Sequence, residues 1–237
     1  PSDGGGHCRC AECSKQSISD NVFGLANEAA KMVAREFPGK WVGLLAYAYH
    51  SDPPTFPLEP NIYVQRTAGF IISKHSHEEL RTLWTAKTKN LGYYSYFSVW
   101  QWDHDMFPGG LANNLSALVD QIQLFARLNG TSISAESSNN WGLNGRGYYI
   151  ATRLMWNPNA DVNAMLADFY EKAFGPAASI MKKYYDYVDG GKKYKVDESF
   201  LREIFLLIGQ AANAAKERPD VMARLNHLKQ HLRFVEL

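Results

Sequence analysis

Thr131-Ser132-Ile133-Ser134-Ala135-Glu136-Ser137-Ser138-Asn139-Asn140-Trp141-Gly142 runs a short β-prone segment straight into a carboxylate, amides, an indole and a glycine. A carboxyl group can give or take a proton, and an indole beside it offers a flat platform for C–H-rich ring faces. Glu136 is therefore the first candidate for acid–base work, with Asn139 and Trp141 as binding groups. The plainer alternative is an acidic loop holding a half-buried Trp. A second carboxyl group has two sources. Asp103 and its neighbour Asp105 lie in Trp100-Gln101-Trp102-Asp103-His104-Asp105. Asp3 precedes Gly4-Gly5-Gly6, either at the end of a preceding strand or as a turn-forming Asp.

Other polar and aromatic groups fall just after apolar runs. Tyr47, Tyr49 and His50 follow one such run and Arg66 ends another. Arg66 can pair with a ligand carboxylate or serve the core as a buried cation. Trp100, Trp102 and Trp141 can stack on rings or seal the top of a sheet. In His7-Cys8-Arg9-Cys10-Ala11-Glu12-Cys13 the pair Cys10 and Cys13 has knuckle spacing, with Cys8 and His7 as further donors. Three readings stay open for Cys8, Cys10 and Cys13: a structural zinc, a disulfide if the protein is exported, or packed free thiols. No other cofactor is expected. His227 and His231 stand at i, i+4 on a helix, where a solvated face is the expectation.

These residues need elements to hold them. Ser19 or Asp20 is placed to cap a helix over 20–37, with Val22, Leu25, Ala26, Ala29, Ala30, Val33 and Phe37 as its apolar stripe. The run 41–47 reads as a strand buried on both faces. Further strands are expected at 61–66, 92–99 and 131–135, with helices at 77–90 and 112–128 between them and a loop over 100–111. Strands alternating with helices predict a parallel sheet. No glycine-rich phosphate turn follows any of them. From about 145 onward only helices are expected, near 145–156, 160–173, 177–188, 198–216 and 219–234. The fold class is thus α/β, the C-terminal half of a (β/α)8 TIM-like barrel (strands 5–8 equivalent) followed by an all-helical region, with a boundary near 157 between 1–157 and 158–237. Such barrels carry their catalytic groups at the C-terminal ends of the strands.

With 237 residues, 46% of them hydrophobic, the chain can bury one good core, or one core plus an appendage. A net charge of +1 argues against a nucleic-acid partner, and no apolar run reaches membrane-spanning length. The N-terminal Pro1-Ser2-Asp3-Gly4-Gly5-Gly6 reads as the loop after an absent strand. A piece of a longer protein is therefore expected, its barrel completed by a missing N-terminal half or by a self-dimer.

The motifs Asp3-Gly4-Gly5-Gly6 with Cys8-x-Cys10-x-x-Cys13, Ser19-Asp20-Asn21-Val22-Phe23, Ala135-Glu136-Ser137-Ser138-Asn139-Asn140-Trp141-Gly142, Leu154 through Val162 and Phe169 through Ala177 occur in that order. Together they resemble the bacterial family DUF4838, over residues 1 to about 190. The family is related to TIM-barrel glycoside hydrolases such as α-glucuronidases and β-hexosaminidases. The resemblance implies a carbohydrate-active enzyme, secreted or periplasmic, acting on an oligo- or polysaccharide. Glycosidic cleavage in its commonest form needs two carboxyl groups across an oxocarbenium-like transition state. That chemistry gives Glu136 a partner in Asp3 or Asp103, or reduces both to supporting a substrate's own acetamido group. The alternative is a non-catalytic carbohydrate-binding or structural fragment.

Overall fold

The computed structural model describes residues 7–236, so Asp3 lies outside the described residues. The chain forms two compact units. Unit 1 comprises Pro1–Ser95 and Phe125–Ala135, and unit 2 comprises Tyr96–Leu124 and Glu136–Leu237. The expected boundary near 157 falls within the helices of unit 2.

In unit 1, helix α1 (Ile18–Glu36) precedes strands β1 (Val42–Ala48) and β2 (Ile62–Ile71), helix α2 (His77–Lys87) and strand β3 (Leu91–Tyr96). Strand β4 (Ile133–Glu136) completes a four-stranded sheet in the order β1-β2-β3-β4. β1 and β2 pair in parallel from Val42↔Ile62, and β2 and β3 from Val64↔Leu91. The β4 ladder runs the same way, through Thr131 N–H to Leu91 O (2.9 Å) and Tyr93 N–H to Ser132 O (2.9 Å). A mixed α/β architecture around a four-stranded parallel sheet is therefore present.

Local chemistry corrects several expectations. Ser17, not Ser19 or Asp20, caps α1: its hydroxyl accepts the Asp20 N–H at 2.9 Å. Asp20 instead accepts from the backbone N–H (2.7 Å) and hydroxyl (3.1 Å) of Thr55 in the proline-rich loop. The face of α1 that turns inward is Phe23, Ala26, Asn27 and Ala30, while Leu25 and Phe37 of the expected stripe are exposed. Asn27 accounts for the rotation. Its amide donates to Pro57 O (2.9 Å) and accepts from Glu59 N–H (3.0 Å), tying the loop to the helix. Among the described residues β1 is an edge strand: only Ala46 is fully covered, and Gly43 is exposed. Its continuous apolar run is not, in this chain, the mark of two buried faces. The unit 1 core is Phe23, Ala30, Ala46, Ile62, Val64, Trp84 and Leu91. The Ser76 and Glu79 side chains cap α2 reciprocally.

Unit 2 holds a single-turn helix α3 (Trp100–Asp103) inside the expected loop, then a 3-10 turn (Leu111–Asn113) and most of α4 (Leu115–Arg127). Helices α5 (Trp141–Trp156), α6 (Val162–Phe174), α7 (Ala178–Tyr187), α8 (Glu198–Ala214) and α9 (Pro219–Glu236) follow. α5 starts four residues before expectation, because the Asn140 side chain accepts the Leu143 N–H at 3.1 Å and caps it there. The core of this unit joins Phe107 and Leu143 to Tyr170, Phe174, Met181, Tyr184, Tyr185, Phe200, Ile204, Ile208, Leu225 and Leu232. Tyr184 and Tyr185 are thereby packing residues.

Candidate functional site

Glu136 is the last residue of β4, where the chain leaves the sheet. Its carbonyl accepts from the N–H groups of Phe97 (2.9 Å) and Ser98 (3.4 Å), which fixes the backbone from which the carboxylate projects. The loop beyond it is built around Ser138. The Ser138 N–H donates to the hydroxyls of Ser98 (2.7 Å) and Tyr148 (3.1 Å). Its carbonyl accepts from the Tyr148 hydroxyl (3.2 Å), and its own hydroxyl donates to Asp105 Oδ1 (3.1 Å). Ser98 and Tyr148 are buried and hydrogen-bonded to each other. This is a satisfied polar network of the kind that fixes a loop in one conformation.

Asp105 reaches that loop from the segment after α3. His104 and Asp105 both adopt left-handed backbone angles (φ 50° and 59°), a turn that non-glycine residues seldom make. Two groups hold it. Asp103 Oδ1 accepts the Asp105 N–H at 2.8 Å, and the Asp105 carbonyl accepts a 2.6 Å hydrogen bond from His231 Nε2 on α9. His231 thus does not lie on a solvated face as expected, and its ring also packs edge-on against Phe107. Burial pushes the Asp103 carboxyl pKa up, and the neighbouring Asp105 charge adds to the shift.

Within unit 2, a cavity of about 400 Å³ is lined by Ser98, Val99, Trp100, Gln101, Asp105, Glu136, Ser137, Ser138 and Asn139. It brings together Glu136, Asn139 and Trp100 from the sequence expectation. The second carboxylate on its wall is Asp105, and Asp103 supports the turn that presents it. Trp100 is 54% exposed and meets the His104 ring edge-on. Trp102, equally exposed, packs against Tyr96. Trp141, 65% exposed, lines a different cavity of about 260 Å³ with Tyr149, Phe169, Arg224 and His227. Ser98, Ser138 and Tyr148 escaped sequence reasoning, since hydroxyl partners 40 to 50 residues apart leave no local pattern.

The remaining candidates lie in unit 1. Arg66 is 2% exposed; its guanidinium donates to the His77 carbonyl (3.4 Å), lies 3.3 Å from His77 Nδ1 and sits over the Tyr93 ring. Burial pulls its pKa down. It occupies the place of a core cation. His50 is buried against Phe23 and Tyr47, and burial lowers its pKa. Tyr47 packs on His50 and Phe70, and half-exposed Tyr49 meets His7. Cys8, Cys10 and Cys13 are free thiols whose sulfurs all lie within 4.8 Å of one another. The Cys13 backbone N–H, then the other thiols, hold the Cys10 thiol down to about 7. Sharing with Cys10 and Cys8 pushes Cys13 up to about 11.

Two carboxylates, two amides, three hydroxyls and an indole on one wall suit a ligand rich in hydroxyl groups with flat C–H faces. Among the described residues no helix is long and apolar enough to cross a membrane. No protein of curated function and no solved structure matches the chain. A family model described as a domain of unknown function, DUF4838, matches residues 1–186, and the chain belongs to that family.

Proposed function

We propose that the protein is a carbohydrate-active enzyme of the glycoside hydrolase type, cleaving a glycosidic bond of an oligo- or polysaccharide with Glu136 and Asp105 as its carboxyl pair. The observation that carries this reading is the shared cavity: Glu136 and Asp105 line one wall with Trp100, Gln101 and Asn139. Two carboxyl groups supply the acid and the base or nucleophile of glycoside cleavage. The indole supplies a stacking face, and the amides can hydrogen-bond ring hydroxyls. Asp103 acts through Asp105, by holding the N–H of its turn. In the same proposal the four-stranded sheet is the second half of a (β/α)8 barrel, its edge strands β1 and β4 paired with a further segment or a second copy, and the protein works outside the cytoplasm.

The test is hydrolysis of a panel of aryl glycosides, including uronides and N-acetylhexosaminides. Glu136→Gln is expected to lower kcat at least about a hundredfold with little change in KM, the usual scale for a lost acid–base group. Asp105→Asn should do the same. Wild-type turnover in both variants would sink the reading, as would the absence of turnover on every member of the panel. A second reading is supported by the exposure of Trp100, Trp102 and Trp141: a non-catalytic carbohydrate-binding module. Saturable sugar binding without turnover, unchanged in Glu136→Gln, would select it.

A further inference from the structure

We infer that Cys8, Cys10 and Cys13 form a three-thiolate site for a thiophilic divalent ion, zinc, at the entrance to α1. Free cysteines are normally among the most buried residues of a protein. Here Cys8 and Cys10 are exposed, Cys13 is half-buried, and all three sulfurs converge to within 4.8 Å of one another. Packing does not explain two exposed thiols and a half-buried one gathered at one point. A tetrahedral zinc with Zn–S bonds near 2.3 Å sets its sulfurs about 3.8 Å apart. Small side-chain rotations at an exposed site close that difference.

The backbone is already shaped for the ion. Ser14 N–H donates to Cys10 O (3.0 Å) and Lys15 N–H to Glu12 O (3.1 Å), so the chain turns tightly between Cys10 and Cys13. The Cys13 N–H points at Cys10 Sγ (3.5 Å), the N–H···S arrangement that steadies a thiolate in a knuckle. Asn21 on α1 donates its amide to Cys13 O at 2.8 Å and fastens the turn to the helix. Such outer contacts orient metal ligands. Three thiolates around Zn(II) carry a net charge of −1. Arg9 and Lys15 flank them, and the nearby Glu12 carboxylate is engaged by Lys15 at 2.7 Å. Each Zn–S bond forms as a thiol gives its proton to solvent. Beside the cluster a cavity of about 480 Å³, lined by Cys8, Cys13, Arg9, Gln16 and Asn21 among others, leaves room for water as the fourth ligand.

The experiment reconstitutes the reduced, purified full chain with Zn(II) and, separately, with Co(II). One zinc per chain should survive desalting. The cobalt form should show a near-ultraviolet sulfur-to-metal charge-transfer band together with tetrahedral visible bands, and zinc should displace both. Cys8→Ser, Cys10→Ser and Cys13→Ser should each weaken zinc binding more than about a hundredfold in chelator competition, beyond the loss of an outer contact. Circular dichroism of each variant shows whether the fold is intact. Zinc lost on desalting, or a charge-transfer band that persists in the triple Ser variant, would overturn the site. So would a chain whose mass without reductant shows two hydrogens lost and whose reduced form binds no zinc.

Discussion

The Arg146 guanidinium on α5 lies 2.6 Å from the Asp189 carboxylate just beyond α7, with Arg146 almost wholly buried. The same guanidinium donates to the carbonyls of Tyr185 (3.2 Å) and Asn113 (3.4 Å) and sits over the Tyr185 ring. Asn113 in turn donates its amide to Pro108 O (2.7 Å) and Val188 O (2.6 Å). One buried cation therefore ties α5, α7 and the segment following α3 to one another. Removing one partner of such a pair leaves the other charge buried and uncompensated. Arg146→Met and Asp189→Asn should each destabilise unit 2, the former by about 3–5 kcal/mol, read from urea unfolding. A loss under about 1 kcal/mol for Arg146→Met would show that the pair does not hold these elements together.

Two helical glycines should respond to alanine with opposite signs. A Cβ on Gly147 in α5 would fall 1.9 Å from the carbonyl oxygen of Ala112, a backbone atom in the 3-10 turn that cannot swing aside. Gly147→Ala should destabilise by at least about 2 kcal/mol, as over-packing does. A Cβ on Gly209 in α8 meets nothing within 4 Å. Gly209→Ala should raise stability by up to about 1 kcal/mol through helix propensity alone. Thermal unfolding of the two variants side by side checks both signs.

Much of this arrangement was legible from residue order, and the misses share a cause. Apolar runs alternating with amphipathic stretches sufficed for four strands in parallel order, and the last strand, expected over 131–135, runs Ile133–Glu136 and so takes in the carboxylate residue itself. Burial was less legible. The run 41–47 is apolar throughout, yet among the described residues β1 lies at the sheet edge, because strand order is decided by pairing rather than by composition. Side-chain hydrogen bonds over long separations were illegible. Nothing near Asn27 announces Pro57 and Glu59, and nothing near Asp105 announces His231, 126 positions away. Trp141 is only five residues from Glu136, but Asn140 starts a helix between them and the two line different cavities.

Stability should fall as pH drops through the ordinary histidine range. Burial lowers the pKa of His50, and burial with the nearby Arg66 and Arg81 charges lowers that of His77. The unfolded chain, with its histidines near 6.5, then binds more protons than the folded one. Stability is greatest above about pH 6.5 and declines as pH falls from there through the folded-state values. The lowered carboxyl groups of Asp20 and Asp197 lose their contribution only in more acid solution. Urea midpoints at pH 7.5 and 5.5 should differ in the wild type and converge in the His50→Gln/His77→Gln double variant. An unchanged pH slope in that variant would refute the assignment, whatever its absolute stability.

Two exposed indoles, Trp100 and Trp141, should behave differently toward a saccharide. Trp100 lines the cavity that holds Glu136 and Asp105, and Trp141 does not. If the ring face of the ligand rests on Trp100, removing the indole costs about 1.4 kcal/mol, or roughly tenfold in binding. Trp100→Ala should raise KM, or the Kd for an unhydrolysed ligand, by that factor while leaving kcat nearly unchanged, since stacking holds substrate and transition state alike. Trp100→Phe should recover part of the loss. Trp141→Ala should alter neither parameter. The opposite pattern, with Trp141→Ala weakening binding and Trp100→Ala silent, would move the binding surface to the cavity lined by Tyr149, Phe169 and His227 and detach it from Glu136.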